Sequence, residues 1–380
     1  MVGFDLSEDL TMLRDTARDF ADKELVPNAA RWDRELHFPR EALEKAAELG
    51  FLGMNVPEEY GGNEMGSLGL CVLLEEINRG CASTGVTISV HNSLFCSPVV
   101  KFGTEEQKQK FLPKMAKGEA LGGYCLSEAG AGSDAASLRC SAKKDGDDWI
   151  LDGAKLWITT GSEADAFIVF ARTSEHRTRG ISAFIVESTS EGFKVGKKEE
   201  KLGIRASPTT EILFENCRIP GSHLLGEEGI GFKIALDTLD GGRLGIASQS
   251  VGIGRAALEE ALRYAKTREQ FGKPIGEFQA VGWKLADMGT DIDAARLLTW
   301  RAAWLRDQKL PCSKEAAMAK SFASRAANRA ARDCVQIHGG AGYTQEFIAE
   351  RLMRDARITE IYEGATDIQR LVISRHLLAD

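Results

Sequence analysis

The stretch DGDDWILDGAKLWITTGSEADAFIVFAR, residues 145–172, decides how this chain folds. Trp149-Ile150-Leu151 and Ala166 to Phe170 are short runs of β-branched and aromatic residues, and Asp145-Gly146 and Asp152-Gly153 are turn signals beside the first of them. Similar runs recur at Ile181 to Val186 and Glu211 to Phe214, so a period of two governs Leu121 to Ile219, closed by Pro220-Gly221. On both sides of that block the period is helical. Upstream, Leu10, Leu13, Ala17, Phe20 and Ala21 recur at three and four, and Glu41 to Leu49 ends at Gly50, a residue suited to the left-handed turn after a helix. Pro57 and Gly61-Gly62 then mark a loop. After Gly226-Glu227-Glu228-Gly229, long segments rich in Ala and Leu follow: Phe232 to Lys266, Phe278 to Gln308, Lys314 to Ile337 and Ile368 to Leu378. Small residues in their apolar stripes let helices approach closely, which suits a four-helix bundle.

The layout is therefore helical, then β, then helical, and the absence of repeats or low-complexity linkers predicts that the parts pack against one another. With 380 residues, at about 150 per domain, two to three domains are expected, large enough to fold without disulfide or metal staples. Lys and Arg number 48 against 56 Asp and Glu, a net charge of −8, with no basic blocks, so a nucleic acid partner is not expected. The longest apolar run, Leu68 to Leu74, falls far short of the roughly 20 residues a membrane span needs. Nothing after Met1 reads as a secretory signal, so the chain is expected in a bacterial cytoplasm or a mitochondrial matrix, any transit peptide lying outside this numbering. The cysteines at 71, 81, 96, 125, 140, 217, 312 and 334 form no C-x-x-C pair and no cluster with histidines. They read as small buried hydrophobes in a reducing compartment, with no metal site.

Several motifs carry chemistry. Gly252-Ile253-Gly254-Arg255-Ala256-Ala257 matches a dinucleotide fingerprint in letters only, because it continues a helix instead of opening one after a strand. No P-loop pattern occurs. Tyr124 to Asp134 ends a strand in a glycine-containing loop whose backbone can approach a ligand closely, although taken alone it is more often an ordinary connection. Trp157-Ile158-Thr159 places an aromatic ring and a hydroxyl two residues apart, on one side of a strand. Such a pair is usually packing, but with the Tyr124 segment it forms a stacking surface with hydroxyl donors for a flat heteroaromatic ring. Thr366 and Gln369 have capping-box spacing at a helix start that would favour an anion. Glu363, between Ile361, Tyr362 and Gly364, is the carboxylate placed to face an apolar cavity, where desolvation makes it a useful base; taken alone it is more often a solvated loop glutamate.

Together, Tyr124 to Asp134, Trp157 to Thr159, Arg268 to Pro274, Gln336 to Gly340 and Ile361 to Gln369 closely resemble the acyl-CoA dehydrogenase family, over almost the whole chain. Arg79 to Val90, Lys197 to Arg205 and Leu239 to Gln249 are most similar to its short-chain (butyryl-CoA) members. The resemblance implies an N-terminal α-helical domain (1–119), a middle β-sheet domain (120–226) and a C-terminal four-helix bundle (227–380) in a homotetramer, a dimer of dimers with FAD at the subunit interface. It implies that Leu126, Ser127, Trp157, Ile158 and Thr159 hold the isoalloxazine ring. Arg268, Phe271, Gln279, Gln336, Gly339 and Gly340 would reach a neighbour's FAD, whereas Ala365, Thr366 and Asp367 would meet the FAD phosphates at the helix start. Ser133, Asp240, Arg243 and Gly364 would contact acyl-CoA. Glu363 would take the α-proton, its own N–H and a ribityl hydroxyl would stabilise the enolate, and the β-hydrogen would leave as hydride to flavin N5. The product would be a trans-2-enoyl-CoA, with electrons passed to electron-transferring flavoprotein and no nicotinamide cofactor.

Departures refine this. Some relatives carry the base immediately before the arginine matching Arg243; here that residue is Gly242, which leaves Glu363 as the candidate. The arginine by which glutaryl-CoA relatives pair a distal carboxylate has no counterpart in Thr84 to Ser89, which favours a small monocarboxylic acyl group. Ala129 replaces a common proline, and Ala365 stands where short branched-chain enzymes also have alanine, so a short branched-chain dehydrogenase is an alternative, as is an oxygen-using oxidase of the same fold. A nitroalkane-oxidising relative would be expected to use aspartate, and an empty scaffold would need none of Glu363, Ser127, Thr159 and Arg268. Ending at Asp380, the chain is expected to lack the extra domain of very-long-chain enzymes and its route to membranes.

Overall fold

The computed structural model describes residues 5–379, so what was expected of Met1 and of the end at Asp380 lies outside the described residues. The helical first part comprises α1 (Glu8–Phe20), running through a π turn (Ala21–Leu25) into α2 (Val26–Glu35), then α3 (Arg40–Glu48), α4 (Gly66–Gly80), α5 (Ala82–Ser89), α6 (Ser97–Phe102) and α7 (Glu105–Ala116). Ser7 caps α1, and Thr104 with Gln107 forms a capping box on α7. As expected, Gly50 takes a left-handed φ of 76° after α3.

The strands are β1 (Gly122–Cys125), β2 (Ser141–Asp145), β3 (Asp148–Thr159), β4 (Ala166–Arg172), β5 (Ile181–Glu187), β6 (Phe193–Lys198), β7 (Thr209–Pro220) and β8 (Leu224–Leu225). They form one sheet in the order β6-β7-β3-β2-β4-β5-β8, with β1 parallel to β4. Phe167 and Val169 of β4 share a core with Phe20 and Trp32 of the first helices and Phe51 of the turn after α3, whereas Ile168 and Phe170 share one with Phe95, Phe111 and Ile234. Both faces of this strand are buried, which is why its sequence is a continuous apolar run rather than an alternation.

Two sequence expectations fail here. Asp152-Gly153 is no turn: β3 runs through it, with a register shift between Leu151 and Gly153 and φ of 145° at the glycine. A Cβ at Gly153 would lie 2.8 Å from Cys140 Cα, so the glycine permits a bulge where the strand crosses its neighbour. Strand alternation also breaks at Trp157, whose φ is 63° beside a second register shift between Lys155 and Ile158. Its position relative to Thr159 is therefore set by the bulge, not by a period of two.

The last part contains α8 (Gly231–Thr267), a small hairpin of β9 (Glu269–Gln270) and β10 (Lys273–Pro274), α9 (Gln279–Asp307), α10 (Ser313–His338), α11 (Ala349–Arg357) and α12 (Thr366–Ala379). Gly252 lies inside α8, where a Cβ would sit 2.5 Å from the Glu75 carbonyl of α4, so the glycine pattern serves close helix contact. The three parts are tied at one place. Arg354 of α11 donates to Asp33 of α2 (2.7 Å) and to the Leu202 carbonyl (3.2 Å) after β6, and Asp355 accepts the Ile204 N–H (2.6 Å). All the cysteines are buried: Cys71, Cys81 and Cys96 among the first helices, Cys125, Cys140 and Cys217 in or beside the sheet, and Cys312 and Cys334 at α10. Among the described residues no helix is long and apolar enough to cross a membrane, and no cluster of three His, Cys, Asp or Glu could hold a metal.

Candidate active site

Leu126 and Ser127 follow β1 directly, and the end of β3 is stitched to them. The Leu156 N–H donates to the Ser127 carbonyl (2.9 Å) and Lys155 Nζ to the Leu126 carbonyl (3.1 Å). Lys155 is fully buried and pairs with Glu128 (2.7 Å), whose carboxylate also accepts the Arg139 (2.6 Å) and Cys140 (3.0 Å) N–H groups. This pair was not read from the sequence, yet it fixes the segment that carries Leu126 and Ser127. Lys155→Met is expected to cost about 3 kcal/mol, because it strands a carboxylate with 10% of its side chain exposed. A lower urea midpoint at unchanged slope would register the loss, and an unmoved midpoint would rule it out.

The bulge turns Trp157 outward, 61% exposed, next to buried Ile158 and half-buried Thr159. Tyr124, on the same β1 end, is half-buried, its hydroxyl is shielded from solvent without a hydrogen-bond partner, and burial first and then the Glu363 carboxylate raise it well above the usual tyrosine range. The charge of Glu363 is thus felt at the end of β1.

Glu363 and Gly364 both have left-handed φ, 51° and 94°. Glu363 is half-buried, and its Oε2 is shielded from solvent without a hydrogen-bond partner. The oxygen rests against α8: a Cβ on Gly242 would lie 2.1 Å from it and 2.9 Å from Leu94 Cδ2. A side chain at 242 would compete for this same space. Burial pushes the Glu363 carboxyl up to about 7, while the Lys320 ammonium and the Arg243 guanidinium pull it down. Arg243 is 6% exposed and pairs with Asp240 (2.6 Å), whose other oxygen accepts the Ser313 hydroxyl. Lys320 of α10, fully buried, donates to the Gly364 carbonyl at 2.7 Å.

The expected capping box is not formed. Gln369 turns its amide back to the Gly364 carbonyl (2.8 Å), Ala365 O accepts the Ile368 and Gln369 N–H groups, and Thr366 Oγ1 donates to the Glu360 carbonyl (3.3 Å). Between Glu363 and Asp367, accordingly, no backbone N–H finds an acceptor among the described residues. That row of free donors, at the start of α12, suits anionic oxygens. Of the residues that could hold a flavin ring, Trp157 is turned outward, and Ser127 and Thr159 lie on the stitched ends of β1 and β3.

The remaining residues lie elsewhere. Ser133 is exposed on its loop. Arg268, Phe271 (93% exposed) and Gln279 flank the β9-β10 hairpin, and Gln336, Gly339 and Gly340 are exposed at the end of α10. Tyr264 stacks on His338 (4.0 Å), which joins these two groups into one surface at the far end of α8. From Gly242 to Arg268 that helix extends roughly 40 Å at 1.5 Å per residue. Of the residues missed in the sequence, Lys320 left a signal, a lone charge in the stripe Ala316, Ala319, Ala323 and Ala327.

Three family models match in series: acyl-CoA dehydrogenase N-terminal domain (residues 7–119), middle domain (123–217) and C-terminal domain (229–378). The chain belongs to the acyl-CoA dehydrogenase family, whose members are oxidoreductases and flavoproteins. It is similar to the mitochondrial short-chain specific acyl-CoA dehydrogenase of Rattus norvegicus, 53% identical over 98% of this chain and 91% of that protein. Among solved structures it is similar to butyryl-CoA dehydrogenase from Megasphaera elsdenii, with 42% identity, 99% and 100% coverage and a TM-score of 0.97. A chain in a structure titled for the electron transferring flavoprotein of Acidaminococcus fermentans and flavin-based electron bifurcation matches over the full length of both, with 47% identity and a TM-score of 0.99.

Proposed function

We propose that this protein oxidises short, saturated acyl-CoA thioesters to trans-2-enoyl-CoA, with Glu363 as the base and electron-transferring flavoprotein as the electron acceptor. The observation that carries the reading is the buried, unpartnered Glu363 Oε2, lodged against Gly242, with the Lys320 and Arg243 charges acting to pull its carboxyl down. A thioester α-hydrogen is a weak acid, so its removal needs a nearby carboxylate in a dry site and donors aimed at the enolate oxygen. Glu363 supplies both, the carboxylate to accept the proton at Oε2 and its free backbone N–H to hold the thioester oxygen.

FAD, when bound, supplies the acceptor for the β-hydride. Leu126, Ser127, Trp157, Ile158 and Thr159 would hold its ring, and the N–H groups of Ala365, Thr366 and Asp367 its phosphates. Arg268, Phe271, Gln279, Gln336, Gly339 and Gly340, too far along α8 to serve the same site, would complete the site of a second copy, which is the reason to expect a homotetramer built from such dimers. Ser133 and Gly364, with Asp240 and Arg243, would border the acyl-CoA. The names of the relatives support the short-chain substrate and the acceptor, and bacterial cytoplasm or mitochondrial matrix remains the proposed compartment.

Gln249 supports a short acyl chain. Fully buried two turns beyond Gly242, it donates to the Ala82 carbonyl (3.1 Å) and accepts the Tyr362 hydroxyl, so a fixed amide occupies the space past the base. Anaerobic titration with butyryl, isobutyryl, 2-methylbutyryl, hexanoyl and octanoyl CoA esters tests the proposal. Bleaching of the flavin is expected to be strongest with butyryl-CoA, and a preference for octanoyl-CoA would refute it. A protein that is yellow as purified would set the empty scaffold aside, and a flavin that stays bleached in air after butyryl-CoA would set the oxidase alternative aside.

The pH dependence has a definite sign. A base with a carboxyl raised to about 7 is protonated below that pH, so kcat/KM should fall close to tenfold per unit as pH drops below about 7. A flat profile down to the ordinary glutamate range would contradict the buried placement of the base.

A further inference from the structure

Lys320 is buried in the alanine-lined stripe of α10 among Ala316, Ala319 and Ala323, where an ammonium loses its hydration. Among the described residues it forms no direct ion pair. Its hydrogen bond runs to the Gly364 carbonyl (2.7 Å), the same oxygen that Gln369 Nε2 reaches at 2.8 Å. That carbonyl closes the turn in which Glu363 adopts φ 51°, a costly conformation for a residue with a side chain, held in place by its surroundings.

We propose that Lys320 is a positioning residue for the Glu363 reaction: its ammonium pins the Gly364 carbonyl and so the left-handed turn, and its uncommitted charge keeps the neighbouring carboxylate ionised. The inference rests on the reading of Glu363 as the base. The groups facing that carboxylate support it. From α8 comes Arg243, whose charge is already engaged by Asp240; from β1 comes the Tyr124 hydroxyl; from the carboxylate's own segment come Tyr362 and Glu360. Lys320 is the one cation here without a carboxylate of its own among the described residues. Burial lowers it to about 8, Arg243 adds to this, and Glu363 and Glu360 act to keep its proton on.

The test is the pH dependence of flavin reduction by butyryl-CoA in FAD-loaded Lys320→Met, Lys320→Arg and Glu363→Gln. Without the cation the Glu363 carboxyl rises further, so in Lys320→Met the acid limb should move to higher pH by roughly one unit, with about a fivefold loss of rate at pH 7 that approaches about tenfold well below it. Lys320→Arg should keep the limb of the parent. A limb that stays in place in Lys320→Met, whatever its rate, overturns the inference. If Lys320→Met does not fold, Lys320→Gln keeps a donor for the carbonyl without the charge and is read by the same two outcomes. Normal reduction in Glu363→Gln would remove the base reading itself, whereas an inactive Glu363→Gln beside an unmoved Lys320→Met limb removes only the role of Lys320.

Discussion

Glu363→Gln is expected to bind FAD and butyryl-CoA as the parent chain does and to lose roughly 10³–10⁴-fold in the rate of flavin reduction. The amide has the shape of the carboxyl and fits the same space against Gly242 and Leu94, so binding survives. What disappears is the oxygen that accepts the α-proton, and among the described residues no other carboxylate is lodged there: Asp240 is turned to Arg243 and Ser313. Stopped-flow reduction with a parallel binding titration reads the two effects separately. Turnover within tenfold of the parent would show that another group removes the proton.

Gly242→Ala is expected to lower kcat about a hundredfold without loss of stability. One methyl at 242 would stand 2.1 Å from Glu363 Oε2 and 2.9 Å from Leu94 Cδ2, too close to coexist, and the far ends of both flexible side chains, the carboxylate most of all, must swing away before the helix yields. A displacement of about 1 Å at a reacting group is enough for a loss of that size. Alanine in a helix interior is about 1 kcal/mol better than glycine, so unfolding should occur at the same temperature or higher. A fall in kcat with retained stability separates crowding of the base from damage to the fold, and an unchanged kcat would mean that Oε2 does not work where it lies.

The helix-sheet-helix layout was legible because period and propensity agree over long stretches, as in α8, whose ends fall within one residue of the segment read from Phe232 to Lys266. What escaped depended on neighbours. In β6 (FKVGKK) the strand is held at the sheet edge by β7 and shows little apolar signal of its own. The nine residues of α11 have Leu352 and Ala356 in an apolar stripe amid charges, a pattern too short to stand out. Asp152-Gly153 looked like a turn because the same residue types serve a bulge. At the site, Glu363 was legible through its apolar flanks and its resemblance to a family motif. Gln369 was misread as half of a cap, because spacing does not reveal that its amide is drawn to Gly364. Lys155 and Lys320 are far in sequence from the carbonyls they hold, and only folding brings them there.

The distribution of thiols gives the molecule an internal record of its breathing. An alkylating reagent added under native conditions reaches a sulfur only when the surrounding structure opens, and the sulfurs are shared among the first helices, the sheet and the closing helices. Mass spectrometry of the tagged peptides would therefore show whether one part loosens ahead of the others. Simultaneous tagging of all three groups would mean that the Asp33, Arg354 and Ile204 junction makes them open as one.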